Sequence, residues 1–127
     1  MPRNLHEPSH RLMRDIKGPW RARTDRVDAL TPAESPTFYY DLLAPNAASV
    51  DIWETRYEHV MRDAAAIVEW VGGSGLRPYL EALTDQAERA AYLETYTKAI
   101  DAAYPPRVDG KRLFSFPRIF IVAVRRA

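Results

Sequence analysis

Cysteine is absent from the 127 residues, which removes disulfides, thiolate metal sites and cysteine nucleophiles together and fits a reducing compartment. No apolar run approaches the ~20 residues that a membrane-spanning helix needs. The stretch Met1 to His10 holds no apolar core of a secretory signal. Membrane insertion and secretion are therefore not expected, and a cytoplasmic location is. An excess of one charge is missing too, because 18 lysines and arginines face 17 aspartates and glutamates. That balance draws the chain neither to nucleic acid nor to an anionic membrane, so neither is expected as a partner. Histidine is scarce, and His6, His10 and His59 lack any metal-ligand spacing. No serine stands in a G-x-S-x-G context. Of only five glycines, three make the cluster Gly72-Gly73-Ser74-Gly75. It follows a predicted helix, whereas a phosphate cradle follows a strand and opens a helix so that free N–H groups point at the anion. No segment could by itself hold a nucleotide-type cofactor, and none is expected for this chain alone.

Proline, in contrast, is plentiful, and its positions at 2, 8, 19, 32, 36, 45, 78, 105, 106 and 117 divide the chain into short elements. A short helix is predicted from Pro8 to Ile16, with apolar residues at 12, 13 and 16 and a stop at Gly18-Pro19. Trp20 to Pro32 is charged and aperiodic and reads as a loop. Ser35 caps a helix that opens with Pro36, carries the stripe Phe38, Tyr39, Leu42 and Leu43, and ends before Pro45. Ala64 to Val71 reads as a helix with Ile67, Val68 and Val71 inward, and Leu76 to Leu83 as another. Thr84 is the expected cap of a long helix to about Tyr104, with Ala90, Leu93, Tyr96, Ile100 and Ala103 at helical spacing, ended by Pro105-Pro106.

Two strands are predicted, at 50–60 and 113–125. The first is rich in β-branched and aromatic residues. A period of two puts Trp53, Thr55, Tyr57 and His59 on one face and Val50, Ile52, Glu54 and Arg56 on the other. The second is nearly all apolar beyond Pro117, which suggests a strand covered on both faces. Two strands of that kind make no stable sheet alone, so a larger sheet is called for. The chain by itself is α+β, one unit over 1–127, more helical than stranded.

The chemistry-bearing side chains form a distributed set: Trp53, Tyr57, His59, Trp70, Arg77, Tyr104 and Arg118. Aromatic residues dominate buried surface in any protein, so packing accounts for the two tryptophans as readily as a site does. For Arg77, beside Pro78 after the glycine turn, a solvated role and an anion-binding role stand level. Arg118 interrupts an apolar strand, and an arginine held there needs an anion or acceptors.

Several strings in order resemble one family. They are Pro2-Arg3-Asn4, Glu7-Pro8-Ser9-His10-Arg11-Leu12-Met13-Arg14, Tyr39-Tyr40-Asp41-Leu42-Leu43, Val50-Asp51-Ile52-Trp53-Glu54-Thr55, Glu69-Trp70-Val71, Gly75-Leu76-Arg77-Pro78, Ala103-Tyr104-Pro105-Pro106 and Phe116-Pro117-Arg118-Ile119-Phe120-Ile121-Val122-Ala123. Together they look like the carboxyl-terminal part of the trans-aconitate 2-methyltransferase family. Members are about twice this long and begin with a Rossmann-like α/β domain whose glycine-rich loop holds S-adenosylmethionine; this sequence has no such loop.

The resemblance implies that the two strands close that α/β sheet, that residues 62–104 form a helical cover on the substrate side, and that the cofactor-binding domain is absent. It implies transfer of a methyl group to one carboxylate of a small polycarboxylic acid, with the intact family using S-adenosylmethionine and this chain alone inactive. On residue chemistry within those strings, Arg77 and Arg118 would hold the other carboxylates. His59 and Tyr57 would add donors, and Trp53 and Trp70 would wall the pocket. The competing expectation is a non-catalytic α+β module that associates with itself or a partner through exposed strand edges.

Overall fold

A helical body and a long two-stranded ribbon share the chain in a computed structural model that describes residues 1–27 and 33–127. In order come α1 (Pro8–Asp15), α2 (Arg21–Thr24), α3 (Pro36–Leu43), a 3-10 turn (Ala44–Asn46), β1 (Ala47–Met61), α4 (Ala64–Gly72), α5 (Arg77–Ala82), α6 (Gln86–Ala103) and β2 (Arg112–Arg125). This mixture of helix and strand matches the α+β reading of the chain alone. β1 and β2 pair antiparallel from Met61↔Arg112 to Ala47↔Arg125, with an irregularity between Ala47 and Ser49. The sheet they form is not closed. At a rise of about 3.3 Å per residue the ribbon is about 50 Å long, far longer than the helical body needs.

The core lies at the hairpin's base, where α1, α4, α5 and α6 meet it. Met13 and Ile16 of the first helical stretch, Ile67 and Val71 of α4, Leu76, Leu83, Tyr92, Tyr96, Ile100 and Phe114 are all buried there. Tyrosine hydroxyls from α6 and its end close the polar groups of α1. Helices leave their first N–H and last C=O groups unpaired. The Ser9 N–H donates to the Tyr104 hydroxyl at 3.1 Å, and the Tyr92 hydroxyl donates to the Met13 carbonyl at 2.8 Å. Tyr96 also donates to the Ser9 carbonyl. Tyr79, Tyr92 and Tyr96 stack nearly parallel behind these bonds. Burial raises the pKa of each of the four tyrosines.

Several expectations need correction. The loop expected from Trp20 to Pro32 contains α2, and Trp20 is buried with its indole N–H bonded to the Ile16 carbonyl; residues 28–32 lie outside the described residues. The cap of α6 is Asp85, whose carboxylate accepts from the Ala87 N–H, and not Thr84. On α6 the inward face is Tyr92, Tyr96 and Ile100, spaced by four, while Ala90 and Ala103 face solvent. On α3 the Ser35 cap holds, but Phe38 and Leu42 are exposed and the stripe is not a buried one.

β2 is not covered on both faces along its length. Phe114 is buried on one face and Ile119 on the other, whereas Val122 and Val124 are more than half exposed. Beside Ile119 the amino-terminal segment runs along the edge of β2 that β1 does not pair. Ile119 exchanges backbone hydrogen bonds with Met1, the Arg3 N–H donates to the Pro117 carbonyl, and Pro2 bridges Arg118. Ion pairs from Arg3 to Glu54 and from Arg56 to Glu7 tie the same segment to β1.

Candidate functional site

Residues directly opposite in an antiparallel pair share a face, so the register builds a ladder of rungs: Trp53 with Phe120, Thr55 with Arg118, Tyr57 with Phe116, and His59 with Phe114. The face expected from β1 alone is therefore doubled by β2. Trp53 and Phe120 stack with ring centres 5.4 Å apart. The Tyr57 and His59 rings lie nearly parallel at 5.9 Å. α4 covers the base of this face, where Asp63 caps the helix by accepting from the Ala66 N–H and Ile67 and Val71 anchor it to the core. The outward side of α4 then brings Trp70 over the ladder, 5.0 Å from His59 and 6.3 Å from Phe116 between ring centres.

Tyr57, His59, Trp70, Phe116, Arg118 and Phe120 line a cleft of about 400 Å³, within the ~300–1,000 Å³ usual for small-molecule sites. The Arg118 guanidinium lies 5.8 Å from the centre of the Phe116 ring. Among the described residues no carboxylate pairs with it. Arg23 pairs with Glu88 at 2.7 Å, Arg77 with Glu81 at 2.9 Å and Arg112 with Asp101 at 2.8 Å, whereas among the described residues Arg118, like the exposed Arg11, Arg107 and Arg125, has no such pair, and of these four it alone lines the cleft. A guanidinium in this setting keeps its fork of N–H donors available in the geometry that matches a carboxylate.

Of the residues singled out in the sequence, the structure brings Tyr57, His59, Trp70 and Arg118 into one cleft and sets Trp53 at its margin through Phe120. Arg77 stands elsewhere, exposed at the start of α5. Tyr104 is buried and committed to α1. Phe116 and Phe120 escaped the sequence reading, although their spacing of two on either side of Arg118 puts all three on one face.

The glycine cluster closes α4 and precedes α5, so it is a helix-to-helix turn and not the strand-to-helix turn of a phosphate cradle. A Cβ added at Gly72 or Gly73 would meet nothing within 4 Å, and one at Gly75 would lie 2.8 Å from the His10 Nε2. Gly75 is thus explained by packing on His10, whose pKa burial lowers, with help from the Arg14 charge and against that of Glu7. His10 is further held by a 3.0 Å contact between its Nδ1 and the Ser9 hydroxyl. Among the described residues no cluster of three metal-ligating side chains occurs, and no helix is long and apolar enough to cross a membrane.

No protein-family model matches the chain. Individual relatives do. The chain is 62% identical over 125 residues to the trans-aconitate 2-methyltransferase of Azoarcus sp. (strain BH72), covering 98% of this chain and 49% of that protein. It is 56% identical over 128 residues to the protein of that name from Methylobacterium radiotolerans, covering 97% and 49%. With the Paracidovorax citrulli protein of that name the identity is 54% over 130 residues, covering 100% and 50%. The chain spans about half the length of the curated relatives it matches. Identity at this level along nearly the whole chain makes it similar to about half of each of these trans-aconitate 2-methyltransferases, a match consistent with their carboxyl-terminal part.

Proposed function

We propose that the chain is the acid-binding part of an S-adenosylmethionine-dependent carboxyl O-methyltransferase that esterifies trans-aconitate or a similar small polycarboxylic acid. The observation that carries this reading is the Arg118 guanidinium, stacked on Phe116 in an aromatic cleft with no carboxylate beside it among the described residues. A carboxylate is ionised at neutral pH, so methyl transfer to it needs no general base. What the reaction needs is alignment, and a fixed arginine fork on a carboxylate that does not react supplies it.

Within this reading Arg118 is the anchor, His59 and Tyr57 are donors beside it, and Trp70 and Trp53 exclude water from the bound acid. Residues 62–104 act as the cover through Trp70. Arg77 is the second arginine candidate. It would have to leave Glu81, an exposed i,i+4 pair of the kind worth well under about 1 kcal/mol, so its recruitment costs little. In the intact family S-adenosylmethionine supplies the methyl group; the residues of this chain bind and orient the acid, and the two strands would complete the sheet of the cofactor domain. A cytoplasmic setting agrees with the lack of cysteine.

Titration of the purified chain with trans-aconitate, followed by tryptophan fluorescence, tests the reading. Binding is expected to weaken at least about tenfold in Arg118→Met, the scale of a lost charged hydrogen bond, and less in Arg77→Met. Unchanged binding in both variants defeats the anion-clamp idea. Titration with S-adenosylmethionine is expected to give no heat, and micromolar binding would contradict the assignment of the cofactor site to other residues.

A second reading, self-association, is favoured by the free edge of β2 beyond Met1. Backbone groups of Pro117 and Ile119 point to that edge, and the period of two directs those of Ile121 and Ala123 the same way. An uncharged edge of this sort pairs readily with another strand. A concentration-dependent dimer in light scattering, abolished by Ala123→Pro, would favour it.

A further inference from the structure

The rung that carries Arg118 differs from its neighbours. Trp53 opposite Phe120, Tyr57 opposite Phe116 and His59 opposite Phe114 each set one aromatic residue across from another, while Thr55 stands opposite the arginine. Opposed side chains on one face keep their Cβ atoms about 4.5–5.5 Å apart, so Thr55 stands beside the stem of Arg118, next to the cleft that Tyr57, His59, Trp70, Phe116, Arg118 and Phe120 line. Thr55 is half-buried, between aromatic rungs. Among the described residues its hydroxyl makes no hydrogen bond, neither to a backbone carbonyl nor to a side chain. A β-branched residue suits this strand position with or without oxygen, and a valine would bury there without desolvating a polar atom. The hydroxyl is the part that the strand itself does not need.

The backbone beneath the rung is also held on both sides. β1 pairs with one edge of β2, while Pro2 bridges Arg118 and Met1 bonds both backbone groups of Ile119 on the other. Arg118 and Thr55 are therefore fixed relative to each other by hydrogen bonds that do not depend on the ligand, which is the preorganisation a two-point clamp requires.

We infer that Thr55 is a binding residue of the same site: its hydroxyl donates a hydrogen bond to the carboxylate that the Arg118 fork engages. The pair is a two-donor clamp, in which the arginine supplies charge and the threonine fixes the rotation of the carboxylate about the fork. This rests on the carboxylate reading of the cleft. A lost hydrogen bond to a charged group corresponds to roughly a tenfold or greater change in dissociation constant.

The test titrates the chain and its Thr55→Val, Thr55→Ser and Arg118→Met variants with trans-aconitate, following fluorescence and backbone amide shifts. Thr55→Val is expected to weaken binding about tenfold, and Thr55→Ser, which keeps the hydroxyl, to stay within about threefold of the parent. In the parent, the Thr55 and Arg118 amides are expected to shift with one dissociation constant. Thr55→Val binding like the parent while Arg118→Met fails overturns the clamp and leaves the carboxylate reading standing. An Arg118 amide that shifts without Thr55 has the same meaning and does not depend on how any variant folds. If the parent does not bind, or if Arg118→Met binds as well as the parent, both ideas fall.

Discussion

The base of the hairpin and its far end use the same two strands and are opposite in character. At the base Phe114 is enclosed by Trp70, Tyr104 and Phe116, and the ends of α1 are satisfied by tyrosines 95 and 79 residues away in sequence. At the far end Val122 and Val124 face solvent, as do Phe38, Tyr40 and Leu42 of α3 beside them. The base is a self-sufficient core. The far end leaves apolar surface open to solvent. The candidate cleft sits where the two regimes meet, with Trp70 supplied by the rigid body and Phe120 by the ribbon.

That contrast can be broken by substitution. Phe114→Ala is expected to cost about 3–5 kcal/mol in urea unfolding, because it empties a fully enclosed site. A cost below about 1 kcal/mol would mean that the base is not the core. Tyr104→Phe leaves the buried Ser9 N–H without its acceptor and is expected to cost about 1–3 kcal/mol, with little change in binding of the acid. At the other extreme, Val122→Thr is expected to stay within about 0.5 kcal/mol of the parent. A large loss there would mean the ribbon's end is already covered, by a second copy or otherwise.

Solution pH sharpens the same comparison, since the strongly shifted groups belong to the body. The folded state keeps His10 neutral below its ordinary 6.5 by burial and by the Arg14 charge. Its contribution is present above pH 6.5 and is lost as pH falls through the lowered folded value. The tyrosines run the other way. Burial raises Tyr92, Tyr96 and Tyr104 above their ordinary 10.0, so their contribution is present below about pH 10 and is lost as pH rises toward the folded values. A stability plateau between about pH 6.5 and 10 is expected from thermal melts, with the alkaline edge weakened in Tyr92→Phe.

Much of this was legible in the sequence where local chemistry decides. The prolines and caps marked α1, α3 and the end of α6, and the period of two found the aromatic face of β1. Legibility ended where distant residues decide. Nothing local distinguishes Tyr92 from Leu93 as the inward residue of α6; the choice is made by the Met13 carbonyl on α1. The apolar run of β2 suggested burial on both faces, yet no described residue covers Val122 or Val124. In the site, Arg118 stood out because a charge in an apolar strand is costly, while Phe116, Phe120 and Thr55 gained meaning only from the β1–β2 register. Arg77 stood level between a solvated and an anion-binding role in the sequence, and the structure sets it outside the cleft, exposed at the start of α5 beside Glu81.

The most direct measurement maps where the acid binds. Amide shifts of the chain during titration with trans-aconitate are expected at Tyr57, His59, Trp70, Phe116 and Arg118, with Tyr92, Tyr96 and the α5 amides unmoved. Shifts confined to Arg77 and its neighbours on α5, or none anywhere, would contradict a binding site on the hairpin face.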